Sequence, residues 1–221
     1  MRIEYLGKSI ELCSPSPLED TPFSWISTEI EPLFRVHVKS YHSYRVFPNR
    51  RVIYVPSEKW YTYTAYGLRY MLARDYEGGF LLHAGAVSRG DGAILFVGRS
   101  GSGKTRAVRR ALGRGFRYLG EDMVDLRDGR VFMHIPFTLR PSEFVREDRL
   151  KRICLIRYSP GAYPVVLKIP RGKAVPALLE QIFNLRRVFD RVGQIEGMLE
   201  GVDVLFAMYN DFSEVEEACL Y

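Results

Sequence analysis

The sequence predicts an α/β fold leaning toward α+β, a mixed and partly antiparallel sheet flanked by helices, with a β-rich N-terminal part. Three observations carry that expectation. Short apolar segments alternate with tight-turn dipeptides through the first third. Two apolar strands, GFLLHAGAV and AILFVG, are joined by the turn Arg89-Gly90-Asp91-Gly92 rather than by a helix. Amphipathic stretches with helical spacing appear on either side of these strands.

Taken in order, RIEYL and SIELC flank Gly7-Lys8, a tight turn. FRVHVKS alternates apolar and polar residues, and YRVF and RVIYV flank Pro48-Asn49. Ser57 is a candidate N-cap for a helix running to about Arg74. Its apolar stripe is Trp60, Thr64, Leu68, Met71 and Leu72, and Gly78-Gly79 follows as a stop. Tyr61, Tyr63, Tyr66 and Tyr70 read as packing and rim residues. After the paired strands comes a helix from about Gly103 to Leu112, then strand FRYL. Asp128-Gly129 joins MVDL to VFMHI as a hairpin. ICLIRY and PVVLK are strands, helices are expected around 175–187 and 193–200, and VDVLFAM is the last strand. The expected division is a β-rich subdomain over 1–77 and a core over 78–221.

Composition narrows the function classes. The chain has 221 residues, 47% of them apolar and 26% charged, enough to bury a core. No apolar run approaches the ~20 residues that span a bilayer. MRIEYLGKSIEL lacks a signal peptide's apolar stretch, so a cytoplasmic location without membrane attachment is expected. The net charge of +6 comes from scattered basic residues, with doublets such as Arg109-Arg110 and no long basic run, so nucleic-acid binding is not expected. Cys13, Cys154 and Cys219 are far apart and odd in number, which favours inert thiols over a zinc site.

Gly98-Arg99-Ser100-Gly101-Ser102-Gly103-Lys104-Thr105 satisfies the phosphate-loop pattern G-x-x-x-x-G-K-[ST] at every position. Glycines let successive N–H groups converge on phosphate oxygens, and the N-terminus of the following helix adds positive potential. Lys104 is then the group for the β/γ-phosphates, and the Thr105 hydroxyl a ligand for Mg²⁺. Arg99 lies within the loop. Arg106, Arg109 and Arg110 read as residues of the helix's solvated side or of a subunit contact. One helix and one strand later, Glu121 and Asp122 stand at a strand end. Phosphoryl transfer uses carboxylates there, one for the metal and another for the acceptor hydroxyl. Asp122 is the second candidate metal ligand. His83, on the strand before the hairpin, falls beside the sheet end near Gly98.

His-Ala-Gly-Ala-Val at 83–87, the short hairpin, Gly98–Thr105 and Gly-Glu-Asp-Met-Val at 120–124 together resemble the HPr serine kinase/phosphorylase family and its HPr-kinase-related relatives. The resemblance is specific across roughly 83–126, extends in outline to HIPFTLRP and the late helix–strand pattern, and reaches 1–77 only in general layout. It implies a core like that of phosphoenolpyruvate carboxykinase, where a hairpin leads into the phosphate loop. It implies that His83 sits near the γ-phosphate or holds a carboxylate, and that Glu121 and Asp122 match the family's acidic pair. Glu121 departs from that pattern, since the family's first position is aspartate. Arg140 becomes a candidate for neutralising transferred charge. The glycine-rich segment that bacterial HPr kinases carry after the acidic pair is missing, so HPr is not the expected acceptor.

The expected activity is an ATP- and Mg²⁺-dependent kinase with a hydroxyl acceptor of serine type, on a small molecule, peptide or protein. ADP and pyrophosphate stand as alternative donors. The other class kept open is a nucleotide-binding sensor with little or no turnover. A homo-oligomer is compatible with the resemblance, and no residue requires one.

Overall fold

A computed structural model describes residues 1–5, 8–14, 32, 34–40, 43, 45–56, 58, 60–73, 76–134 and 143–221. The chain divides into two compact units, Met1–Gly78 and Gly79–Tyr221.

The first unit holds strands β1 (Arg2–Tyr5), β2 (Lys8–Cys13), β3 (Phe34–Ser40), β4 (Arg45–Phe47) and β5 (Val52–Val55), and helix α1 (Trp60–Ala73). Its sheet runs β1-β2-β3-β5-β4. The β1–β2 and β4–β5 pairs are antiparallel, while β3 lies parallel to both β2 and β5. Alternation sets the faces: Val36 and Val38 are buried between exposed Arg35, His37 and Lys39. On α1, Thr64, Leu68 and Leu72 are buried, as the stripe predicts, whereas Trp60 and Met71 are half-buried. Tyr61 packs with the core face while Tyr66 and Tyr70 are exposed, which matches the reading of these tyrosines as packing and rim residues. The helix ends at Ala73, ahead of Gly78-Gly79; Ser57 and Arg74 lie outside the described residues.

The second unit contains β6 (Phe80–Leu82), β7 (Ala84–Arg89), β8 (Gly92–Val97), α2 (Lys104–Gly113), β9 (Arg117–Gly120), β10 (Val124–Arg127), β11 (Arg130–Phe132), β12 (Glu147–Tyr158), β13 (Val165–Lys168), α3 (Arg171–Leu179), α4 (Leu185–Val188), α5 (Gln194–Met198), β14 (Asp203–Tyr209) and α6 (Glu216–Leu220). Its nine strands follow the path β6-β10-β11-β12-β8-β7-β9, with β14 and β13 branching from β12. β8 is antiparallel to β7 and parallel to β12, which is itself parallel to β14. The fold class is therefore mixed α/β, with antiparallel pairs inside a partly parallel sheet. Asp128 and Gly129 both take positive φ, 50° and 69°, which is the backbone that a two-residue hairpin needs.

Alternate residues of the strands, among them Ala84, Ala86, Leu95, Val97, Ile153 and Val204, build one core with Leu126, Val131, Leu178 and Leu199. Burying a side chain of leucine size stabilises by roughly 1.5–3 kcal/mol, so this core holds the strand ends in place. On the other face, Ala107, Val108 and Ala111 of α2 are fully buried.

Two stretches differ from the sequence reading. GFLLHAGAV is not one strand: it breaks at His83, so that β6 pairs with β10 while β7 pairs with β8 and β9. The stretch 175–187 is not one helix either. α3 stops at Leu179, and the chain then runs beside β6, where the Phe183 N–H donates to the Leu81 carbonyl and the His83 N–H to the Gln181 carbonyl, both at 2.8 Å. Buried Asn184 extends this ladder with its side chain. Its Oδ1 accepts from the Leu81 N–H at 3.0 Å, and its Nδ2 donates to the Gly79 carbonyl at 2.9 Å. The backbone groups of β6 must be satisfied once buried, and that requirement overrides the segment's helical composition.

Asn184→Ala is expected to lower unfolding stability by about 2–4 kcal/mol, because two buried backbone groups lose a partner. Urea denaturation checks this; a loss below about 0.5 kcal/mol, the scale of an ordinary surface substitution, would show that the amide is not a strand surrogate.

Candidate functional site

β8 runs up the middle of the second unit's sheet and ends at Val97, fully buried. The chain then turns through 98–103 and enters α2 at Lys104. At Gly98 a side chain would meet the Ile156 carbonyl and lie 2.6 Å from the Ser102 hydroxyl. At Gly103, φ is 92° and a Cβ would stand 2.5 Å from the Tyr209 hydroxyl. Only glycine suits these two positions. No side chain caps the start of α2, so its first N–H groups remain available to an anion. The Ser102 hydroxyl is buried and has no hydrogen-bond partner among the described residues. Those features suit bound phosphate oxygens.

The Lys104 ammonium donates to the Gly98 carbonyl at 2.7 Å and to the Arg99 carbonyl at 3.0 Å. Burial lowers its pKa to about 8, and the nearby Asp122 carboxylate opposes that shift. Thr105 follows in the first turn of α2 and is half-buried. The Tyr209 hydroxyl, from the end of β14, donates to the Ser102 carbonyl at 2.6 Å; burial pushes its pKa up to about 12. The Tyr209 ring packs edge-on to Phe212, centroids 5.4 Å apart. Sequence reasoning missed Tyr209, since no local pattern links a strand-end tyrosine to a loop so distant in the chain.

On the far side of β8, the β7–β8 register pairs Ala84 with Val97, so His83 stands level with Gly98. Its Nε2 lies 3.0 Å from Oδ1 of Asp122. Asp122 has φ 62°, and around it the Met123 N–H donates to the Glu121 carbonyl at 2.7 Å. This three-residue turn, uncommon outside glycine, pushes Asp122 out of the sheet. Glu121 stays behind it, only 2% exposed. The structure thus brings Lys104, Asp122 and His83 together at one sheet end, with Glu121 and Thr105 beside them.

Phe183 lies over the His83 ring, centroids 5.7 Å apart, and was not anticipated from the sequence. Arg99 is exposed and faces Glu180 at 3.8 Å. Arg106 donates to Asp211 at 2.9 Å and Arg110 approaches the same carboxylate at 3.9 Å, so these two arginines tie α2 to the turn after β14 and do not simply face solvent. Hydrogen bonds from the Ser213 backbone and side chain, followed by the two arginines, hold Asp211 below the usual carboxylate range. Arg140 and most of HIPFTLRP lie outside the described residues. Cys154 and Cys219 are buried free thiols and Cys13 is half-buried. Among the described residues no three His, Cys, Asp or Glu side chains gather as a metal cage, and no helix is long and apolar enough to cross a membrane. Oxygen donors from Thr105 and the acidic pair match Mg²⁺, which takes few protein ligands and completes its shell with substrate phosphates and water.

No protein-family model matches the chain, and no curated protein matches it. Among solved structures it is similar to the Hpr(Ser) kinase/phosphatase from Coxiella burnetii at 11% identity and a TM-score of 0.34, over 63% of this chain and 92% of that one. A likeness at this level does not show a family.

Two results are expected. Polyphosphate binding needs the ammonium form of Lys104, so pyrophosphate affinity falls from about pH 8 upward, by up to roughly tenfold per pH unit as the proton must be taken up on binding. Calorimetric titrations across pH read this slope, and Lys104→Arg flattens it. Tyr209→Phe keeps the ring and removes one hydrogen bond, costing about 1 kcal/mol of stability and weakening pyrophosphate binding. An unchanged affinity would mean that the loop holds its shape without that bond.

Proposed function

We propose that this chain is a Mg²⁺-dependent phosphotransferase that moves the γ-phosphoryl group of ATP to a hydroxyl. The observation that carries this reading is the grouping of the Lys104 ammonium with Asp122, whose carboxylate lies 3.0 Å from His83 Nε2, at the mouth of a complete phosphate loop. Binding alone uses the loop and the lysine. A carboxylate held out of the sheet by a left-handed turn, and oriented by an imidazole, has a use only where a proton or a metal is handled.

In this reading the loop amides and the α2 N-terminus hold the phosphates, and Lys104 swings from the Gly98 and Arg99 carbonyls onto the β/γ-oxygens. Thr105 and the Glu121–Asp122 pair would hold Mg²⁺, which would neutralise the charge of the phosphates. The acceptor oxygen forms a bond to the γ-phosphorus as the bond to the β–γ bridging oxygen breaks. That electron pair leaves with ADP, and the hydroxyl proton passes to the acidic pair. His83 keeps Asp122 aimed at this position by donating from Nε2. Glu121, being buried, keeps its carboxylate close to the sheet end and away from bulk water.

Phosphorus NMR of the protein with Mg·ATP and a pool of hydroxyl compounds and serine-containing peptides tests the reading. A phosphomonoester signal is expected, reduced by about 10²–10⁴ in Asp122→Asn as general-base loss implies, with nucleotide binding retained. Lys104→Ala loses nucleotide binding. Tight binding with no transfer to any acceptor would replace the phosphotransferase with a nucleotide sensor.

A further inference from the structure

The first half of the phosphate loop forms one wall of a cavity of about 600 Å³, a size usual for small-molecule sites. Its floor is apolar, made of Leu155, Ile156, Ala177 and Phe206. The Lys104 ammonium, which takes the β/γ-phosphates, rests on the carbonyls of Gly98 and Arg99, and both residues also line this cavity. The transferable end of a bound donor therefore lies toward the cavity, and the nucleoside end lies toward the helix that follows the loop. Gln181, another lining residue, accepts the backbone N–H of His83, which links the edge of the cavity to the strand break that carries His83.

Three charged side chains line the space: Arg99, Arg157 and Glu180. Arg99 and Glu180 face one another loosely at 3.8 Å, with side chains 86% and 60% exposed, which is a weak pair. Phosphate at the loop attracts the Arg99 guanidinium more strongly, and Glu180 then loses its partner. The Arg157 side chain has no ion pair or hydrogen bond among the described residues. With a donor bound, the cavity thus presents one unpaired carboxylate and one unpaired guanidinium above an apolar floor.

Resting on the phosphotransferase reading, we infer that this cavity takes the acceptor, and that the acceptor is a free amino acid with a side-chain hydroxyl. Its α-ammonium pairs with Glu180 and its α-carboxylate with Arg157, leaving the hydroxyl directed at the loop. The hydroxyl oxygen takes the γ-phosphoryl group, the acidic pair takes its proton, and ADP leaves with the bridging oxygen. Because Arg99 leaves Glu180 when it turns to phosphate, a bound donor favours binding of the amino acid.

Calorimetry with the full chain tests this, titrating L-serine, L-threonine and L-homoserine with and without saturating Mg·AMP-PNP. At least one of the three is expected to bind, roughly tenfold more tightly with the nucleotide present, a typical coupling between linked sites. Glycerate, which lacks the ammonium, and ethanolamine, which lacks the carboxylate, are expected not to bind. Glu180→Gln and Arg157→Gln each weaken the amino acid by about tenfold or more, and Arg157→Gln leaves the AMP-PNP affinity unchanged. AMP-PNP binding followed by no amino acid, by single-charge compounds equally well, or only by an end-blocked serine peptide would overturn the inference alone. Failure of AMP-PNP itself to bind would overturn the phosphotransferase reading and this inference with it.

Discussion

The turn after β8 directs the carbonyls of Gly98, Arg99, Ser102 and Gly103 into the protein, and each of them needs a partner there. That constraint organises the second unit. Lys104 satisfies Gly98 and Arg99, the Tyr209 hydroxyl satisfies Ser102, and the Ala107 N–H satisfies Gly103. β14 therefore ends where it does because its last residue has to reach the loop from behind. Phe212 packs edge-on against the Tyr209 ring at 5.4 Å and is itself in edge contact with Phe96 at 5.8 Å. The lysine's part is provisional, since its ammonium is the group that a phosphate would claim.

The opposite wall is built by different means. His83 sits at a break between two strands, and its backbone is fixed by the extended segment that ends in Asn184. The imidazole is thereby set against Asp122, which a strained three-residue turn lifts from the sheet end. Strain of that kind costs on the order of 1–3 kcal/mol and persists because β9 and β10 clamp the turn on both sides. The start of α2 and the turn between β9 and β10 thus present Lys104 and Asp122 to one another, and burial holds the lysine's proton loosely enough to respond to what binds.

The parts of this arrangement that are local in sequence were legible. The phosphate loop, the hairpin before it and the Asp128-Gly129 turn each follow from a backbone requirement that only certain residues meet. The alternation in FRVHVKS likewise announced which face of β3 is buried. Non-local parts were not. Tyr209 and Asn184 act through single hydrogen bonds to backbone far away in the chain, and nothing in their neighbourhoods distinguishes them from ordinary core residues. Residues 175–187 have helical composition, yet β6 needed a partner, and tertiary hydrogen bonding outweighed a weak local preference.

The central claim is that a metal–nucleotide complex sits between the loop and the His83–Asp122 pair. Mn²⁺ substituted for Mg²⁺ tests it most directly, through paramagnetic broadening of histidine ring protons. The chain has four histidines, and His83→Gln identifies the relevant signal. The account predicts that Mn·AMP-PNP broadens the His83 resonance strongly while the same Mn²⁺ concentration without nucleotide leaves it sharp. A His83 signal that stays sharp with the nucleotide complex bound would contradict it.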